Sequence, residues 1–186
     1  MGFNTNGAPP AQFALVSYIP DPLGLFLDNL RIEMAPGCKP HAHVTILPPR
    51  PVTGKGSRAA AELEYGLGNF AAFAIELGRI EVFPVSDVIF LSIARGAETF
   101  RRMHASLNRG GVKFEETFPY HPHITLAQNI RPEQVDGLRA LAAHRWDEYT
   151  GSRVFQVENL AFVRNDRDCE WVDLANISLA KPELVA

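Results

Sequence analysis

The pattern of apolar and polar positions along the first fifty residues changes between a strand-like and a helix-like periodicity. Residues 12–19 are apolar and rich in β-forming types, which predicts a strand that ends at the Pro20-Asp21-Pro22 turn signal. From Leu23 to Met34, apolar residues recur at three- and four-residue steps, which predicts a helix with one buried face. Residues 43–47 are short and β-branched, and they predict a second strand closed by Pro48-Pro49.

The same reasoning assigns the rest of the chain. The predicted helices cover 57–70, 97–108 and 132–143, and the predicted strands cover 74–83, 88–94, 123–127, 153–164 and 171–179. Pro132 suits a first helical position, because a residue there has no intrahelical partner for an N–H. Strands and helices are therefore mixed along the whole chain.

Composition predicts an ordinary globular protein. The 186 residues are 46% hydrophobic and 21% charged, which indicates a single domain over 11–181 after a flexible tail over 1–10. The net charge of -3 argues against an extended duplex nucleic acid as partner. No apolar run is long enough to span a membrane, and two cysteines form no dense disulfide framework, so we expect a cytoplasmic monomer.

A short motif occurs twice, once in each half of the chain. It reads His41-Ala42-His43-Val44-Thr45-Ile46 and His121-Pro122-His123-Ile124-Thr125-Leu126. In an extended strand, residues two apart share a face, so His43 and Thr45 are predicted to point one way while their apolar neighbours enter the core. The second copy has the same pattern, and two such strands side by side would direct two imidazoles and two hydroxyls into one cleft.

These residue types fit the cleavage of a cyclic phosphodiester. The reaction needs a proton taken from water, a proton given to the leaving oxygen, and donors for the phosphoryl oxygens. Histidine suits both proton roles because its ordinary pKa lies near neutrality. Threonine supplies a hydroxyl donor on a side chain that is stiff at χ1.

The doubled motif resembles that of the 2H phosphoesterases, which include bacterial RNA 2',3'-cyclic phosphodiesterases, also called 2'-5' RNA ligases. The resemblance implies an α+β, LigT-like fold in which two pseudo-symmetric lobes of antiparallel sheet, with outer helices, surround a central cleft. It also implies His43 and His123 as the catalytic pair, Thr45 and Thr125 as phosphate binders, and no metal or other cofactor. The expected substrate is a 2',3'-cyclic phosphate on an RNA end or nucleotide.

Four further residues are candidate substrate contacts. His41 and His121 are expected at the mouth of the cleft, and Tyr120 is placed to stack on a base, although a core or lid role fits it at least as well. Arg50 is the preferred phosphate contact because no acidic residue occurs between Glu33 and Glu62.

Three alternatives remain open on the sequence alone. The two extra histidines allow a site in which four imidazoles bind zinc or another transition metal. The cleft could also hold an RNA end or a nucleotide without turnover, or act as an RNA 2'-5' ligase. Chelation, product binding and an end-joining assay distinguish these functions.

Overall fold

The computed structural model describes residues 11–37, 41–166 and 170–181. Its strands and helices, in chain order, are β1 (Gln12–Tyr18), α1 (Leu23–Met34), β2 (His43–Arg50), α2 (Gly56–Leu67), β3 (Phe73–Val82), β4 (Ile89–Arg95), α3 (Ala97–Leu107), β5 (His123–Ala127), α4 (Val135–Glu148), β6 (Val154–Val157), β7 (Asn159–Asp166) and β8 (Glu170–Ser178). Short 3-10 turns lie at Gly110–Val112 and Pro132–Gln134. The predicted tail over 1–10 and the two cysteines fall outside the described residues.

The described strands form two antiparallel four-stranded sheets. The first sheet has the order β2-β1-β7-β8 and the second has the order β5-β4-β3-β6. The strands that carry the doubled motif, β2 and β5, are therefore each at the edge of a sheet. Because both sheets are antiparallel and the helices lie between the strands in sequence, the predicted α+β fold with two lobes of antiparallel sheet is confirmed.

The sheets do not coincide with the two halves of the chain. The chain begins in the first sheet, builds the second sheet with β3 to β6, and returns to the first with β7 and β8. The predicted single strand over 153–164 is therefore wrong: β6 pairs with β3, and β7 pairs with β1 and β8. The change of sheet occurs at Glu158, between the two strands.

Helices α1 and α3 pack across the boundary between the sheets. Helix α1 connects β1 to β2 but contacts β5, and α3 connects β4 to β5 but contacts β2. One buried hydrophobic cluster accordingly contains Leu15 and Val44 from the first sheet together with Leu91 and Ile124 from the second. Burial of these side chains stabilises the two sheets as one packed unit.

Several boundaries differ from the sequence prediction, and tertiary contacts explain the differences. Strand β2 continues through Pro48-Pro49 to Arg50, which an edge strand allows because one side of its backbone needs no ladder partner. Helix α4 extends to Glu148, beyond the predicted end at 143, and buries Trp146 in its last turns. Within the described part of the chain, no helix is long and apolar enough to cross a membrane.

Candidate active site

The edge strands β2 and β5 contact each other where the two sheets meet. Along β2, half-buried His43 and Thr45 alternate with Val44 and Ile46, which are fully buried. The same alternation occurs on β5, with half-buried His123 and Thr125 between buried apolar side chains. Each strand thus anchors one face in the core and keeps its histidine and threonine on the other.

Each motif histidine is held by the backbone two residues before it. His43 Nδ1 lies 2.6 Å from the carbonyl oxygen of His41, and His123 Nδ1 lies 2.7 Å from that of His121. A carbonyl oxygen only accepts, so Nδ1 of each ring carries the hydrogen and donates it. This bond fixes the tautomer and leaves Nε2 as the nitrogen that takes up or releases a proton.

The environment lowers the pKa of both histidines. For His43 the main cause is burial, and the positive charges of Arg31 and His123 lower the pKa further, whereas Asp28 opposes them. For His123 the main cause is again burial, and the charge of His121 adds to it. The effect of His123 on His43 agrees with the contact between their two strands, and it means that protonation of one ring disfavours protonation of the other.

Aromatic side chains flank the two histidines differently. The ring of His43 meets that of Tyr18 edge-on, with 6.4 Å between centroids, and the Tyr18 hydroxyl donates to Asp173. His123 instead meets Phe83 and Phe90 edge-on at 4.9 and 5.4 Å. The first sheet therefore offers a polar aromatic partner and the second an apolar one, which makes the two halves of the site chemically distinct.

The two outer histidines of the motifs, His41 and His121, are exposed. His41 Nδ1 lies 3.1 Å from the Asp28 carboxylate of helix α1. His121 packs edge-on against Phe83 and Phe90 and lines a cavity of about 450 Å³ beside β3 and β4.

Tyr120 has a structural environment in this site. Its ring stacks on His104 of α3, with centroids 4.1 Å apart and the planes within 4°, and its hydroxyl donates to the carbonyl oxygen of Thr45. The residue thus links the segment before the second motif to the strand of the first. Of the roles considered for Tyr120, the core role matches these contacts. His104, which the sequence presented as an ordinary helix residue, is part of the same arrangement.

The structure corrects the prediction that Arg50 contacts phosphate. Its side chain is 1% exposed and pairs with Glu116, and its other donors reach Asn108 and the carbonyl oxygens of Pro48 and Val112. A guanidinium so enclosed has no surface to offer a ligand. The local excess of basic residues predicted attraction for phosphate, but a buried ion pair accounts for Arg50.

Two charged residues of α1 were missed by the sequence analysis. Asp28 accepts a hydrogen bond from the backbone N–H of Ala42 at 2.6 Å, in addition to its contact with His41. Arg31 is buried on the inner face of the helix, close enough for its charge to act on His43. A signal for Arg31 existed, because it lies one helical turn after Leu27 on the predicted apolar face. Asp28 carries no comparable signal.

The four motif histidines also raised the question of a metal site. Across residues 11–37, 41–166 and 170–181, no group of three or more His, Cys, Asp or Glu side chains is arranged to hold a metal ion.

Solved structures of similar fold cover nearly the whole chain. E. coli LigT complexed with 3'-AMP has a TM-score of 0.63 at 14% identity, covering 92% of this chain and 99% of LigT. E. coli LigT complexed with NADP+ has a TM-score of 0.61 at 14% identity, covering 94% and 100%. The protein TT0787 of Thermus thermophilus has a TM-score of 0.61 at 20% identity, covering 91% and 98%. At these identities the likeness establishes the fold.

A comparison with curated protein sequences found no match. In the comparison with protein families, residues 19–169, which include both motifs, match the 2'-5' RNA ligase superfamily. Membership supports a phosphoesterase- or ligase-type function. The resemblance predicted from the doubled motif is thus confirmed, and the chain belongs to the 2'-5' RNA ligase superfamily of 2H phosphoesterases.

Proposed function

We propose that the protein hydrolyses a 2',3'-cyclic phosphate at the end of an RNA or on a nucleotide, without a metal ion. The observation that carries the proposal is the pair of histidines on adjoining edge strands, each with Nδ1 bonded to a backbone carbonyl oxygen. Both rings thereby direct their proton chemistry through Nε2, so each can act as an acid or a base through that nitrogen.

In the proposed reaction, water attacks the phosphorus in line with the leaving ribose oxygen. The neutral histidine takes a proton from the water at Nε2 as the new P–O bond forms. The protonated histidine gives its Nε2 proton to the ribose oxygen as the old P–O bond breaks. The hydroxyls of Thr45 and Thr125, on the same strand faces as the histidines, donate hydrogen bonds to the nonbridging oxygens, where negative charge develops.

A substrate of nucleotide size is consistent with the solved relatives. E. coli LigT has been crystallised with 3'-AMP and with NADP+, both of which are nucleotides. In the present chain, the net charge of -3 offers no general attraction for long polyanions.

The test is the turnover of adenosine 2',3'-cyclic phosphate in EDTA. We expect the wild type to be active, and His43→Ala and His123→Ala each to lose about 10²- to 10⁴-fold in kcat, as for a lost general acid or base. The double variant should lose little more than either single one, because the pair acts as a unit. Full activity in either single variant would remove the mechanism, and loss of wild-type activity on chelation would favour a metal.

His144 provides a matched control for these substitutions. It is an exposed histidine on α4 that pairs with Glu148 in the next turn of the same helix. His144→Ala removes an imidazole of the same size without touching either motif, so its kcat should equal that of the wild type.

Ligation is a second candidate, favoured by the family to which the chain belongs. If the 5'-hydroxyl of a second RNA replaced water in the same reaction, the same histidines would serve, and the product would be a joined strand. Incubating half-tRNA-like ends and assaying for a 2'-5' linkage distinguishes this activity from hydrolysis. A joined product whose yield falls in both histidine variants would assign ligation to this site.

A further inference from the structure

The cavity next to His121 lies on the second sheet, on the same side as the face of β5 that carries His123 and Thr125. His123 pairs in register with Ser92 of β4, and Thr125 pairs with Phe90, so all four side chains lie on one face. Phe90 in turn pairs with Glu81 of β3. The cavity of about 450 Å³ is lined by Ser92, Glu81 and His121, among others, and thus begins beside the second motif and continues away from it.

A bulge in β3 supplies this cavity with a guanidinium. Leu77 and Ile80 are both buried although they are three residues apart, and the register with β4 shifts between them. The two residues between them, Gly78 and Arg79, therefore both lie on the outer face, and both line the cavity. Regular alternation would have given that face a single residue.

The bulge is held from two directions. The Ser92 hydroxyl accepts a hydrogen bond from the backbone N–H of Arg79 and donates one to its carbonyl oxygen, at 3.0 and 3.1 Å. Trp146 donates its indole N–H to the carbonyl oxygen of Gly78 at 2.8 Å. A side chain at Gly78 would meet the Ser92 hydroxyl at 2.6 Å, so the close approach requires glycine. The bulge is thus fixed by three specific hydrogen bonds.

A second guanidinium enters the cavity from the helix side. Arg101 of α3 also lines the cavity, and its charge acts on Tyr120, next to the second motif. Arg79 pairs with Glu81 and Arg101 with Glu98, at 3.2 and 3.4 Å. These are exposed pairs of small net strength, and a phosphate that binds a guanidinium through two parallel hydrogen bonds competes well with them.

We propose that this cavity, with Arg79 and Arg101, binds the internucleotide phosphate on the 5' side of the nucleoside that carries the reacting phosphate. The inference rests on the proposed function, and it identifies the preferred substrate as the 3' end of an oligoribonucleotide rather than a free mononucleotide. The two guanidinium groups outnumber the one carboxylate, Glu81, that lines the same small cavity, and they provide local attraction for one phosphate in a protein whose net charge is negative.

The experiment compares three substrates that end in the same cyclic phosphate. They are adenosine 2',3'-cyclic phosphate, its 5'-phosphorylated form and the dinucleotide ApA 2',3'-cyclic phosphate. For the wild type, we expect kcat/KM for the dinucleotide to exceed that for the nucleoside by about tenfold or more, the effect of a charge-assisted hydrogen bond. The gain should fall with salt, with a slope of about 0.7 in the logarithms for one added phosphate contact.

Substitution of the arginines should remove this gain. We expect the ratio of the two kcat/KM values to fall in Arg79→Gln and in Arg101→Gln, and to approach one in the double variant. Arg102→Gln is the matched control, because Arg102 is the exposed neighbour of Arg101 on the same helix and does not line the cavity. The control should keep the wild-type ratio.

The outcomes separate the two proposals. A wild type that hydrolyses the nucleoside cyclic phosphate but gains nothing from either added phosphate overturns the cavity proposal and leaves the hydrolytic function intact. A wild type that hydrolyses none of the three substrates overturns both. A larger gain from the dinucleotide than from the 5'-phosphorylated nucleoside assigns the cavity to an RNA end, and the reverse result contradicts that assignment.

Discussion

A hydrogen bond from Nδ1 to a carbonyl oxygen gives both motif histidines the same tautomer, and burial gives them the same direction of pKa change. Burial disfavours the charged imidazolium, so both rings are predominantly neutral at pH 7 in the free protein. Catalysis by an acid and a base needs one proton shared by the pair. The protonation state that the proposed reaction requires is therefore populated only in a limited range of pH.

That range sets the expected pH dependence. The form with one proton on the pair is most populated between the two pKa values, and both lie below the ordinary value of 6.5. We expect kcat/KM, which reports the free enzyme, to be bell-shaped with its maximum below pH 6.5, falling as the pH rises toward about 8. The maximum of kcat should lie higher, since a bound phosphate anion stabilises the imidazolium. A kcat/KM that still rises above pH 7 would contradict this assignment.

Asp28 positions His43 without touching its ring. The carboxylate accepts from the backbone N–H of Ala42, and so holds the peptide whose carbonyl oxygen, on His41, orients the imidazole of His43. We expect Asp28→Ala to lower kcat by about tenfold to a hundredfold with little change in KM, the cost of a misplaced reacting group. Asp28→Asn keeps an oxygen acceptor and should restore most of kcat.

A pH profile separates this positioning role from a general loss of structure. Asp28 raises the pKa of His43, so both variants should move the limb of the kcat/KM profile that His43 controls to lower pH, although only Asp28→Ala loses kcat. Asp21, whose carboxylate accepts the N–H of Leu25 at the start of the same helix, is the control. Asp21→Ala should cost about 1 kcal/mol in stability and leave kcat unchanged. Equal damage from both Asp28 variants would exclude the backbone contact as the cause.

The repeated pattern in the sequence points to the motif residues, but the sequence has no signal for the residues that position them. The doubled motif points to His43 and His123 because two copies with the same threonine offset are informative where one is not. Asp28 is a polar residue on an amphipathic helix, and such residues are usually solvated. Its role depends on where α1 crosses the strand that follows it, which no local pattern encodes. For Arg50 the signal in the sequence was wrong. The local excess of basic residues predicted a phosphate contact, but it carried no information about the burial of this side chain.

At the scale of elements, the periodicity of apolar residues predicted the bounds of those helices and strands that local packing determines. Helix α1 and strand β5 have the predicted bounds, since an amphipathic stripe or a β-branched run between turn signals defines each of them. The division of residues 153–164 into β6 and β7 could not be predicted, because no glycine or proline marks Glu158 and both pieces are β-forming. The division follows from pairing with β3 on one side and with β1 on the other.

The bulge in β3 shows the same limit at a site of functional interest. The run from Phe73 to Val82 is a plausible regular strand by its residue types, and Gly78 alone signals an irregularity. The extra outward residue becomes visible only with the partner strand, where Ser92 binds both backbone groups of Arg79. The arrangement that supplies the cavity with a guanidinium is thus a product of strand pairing.

Across the whole molecule, one chain of contacts connects the first motif to the segment before the second. Arg50, at the far end of β2, pairs with Glu116, which also accepts from His104 Nε2 at 2.8 Å. His104 stacks on Tyr120, and Tyr120 donates to the carbonyl oxygen of Thr45. Strand β2, helix α3 and the segment that leads into β5 are therefore joined by polar and stacking contacts in addition to the shared hydrophobic core.

The buried ion pair between Arg50 and Glu116 gives a prediction about stability. Glu116→Gln keeps the size of the side chain but leaves the Arg50 guanidinium, 1% exposed, without its counter-charge, and we expect the free energy of unfolding to fall by about 3 kcal/mol. Urea unfolding measures it. The double variant Arg50→Met with Glu116→Leu should recover most of the loss, because no buried charge remains.

Arg58→Gln, which breaks an exposed pair with Glu62, should cost about 0.5 kcal/mol or less. If Glu116→Gln cost no more than this control, the pair would not be what holds β2 against the segment that leads into β5.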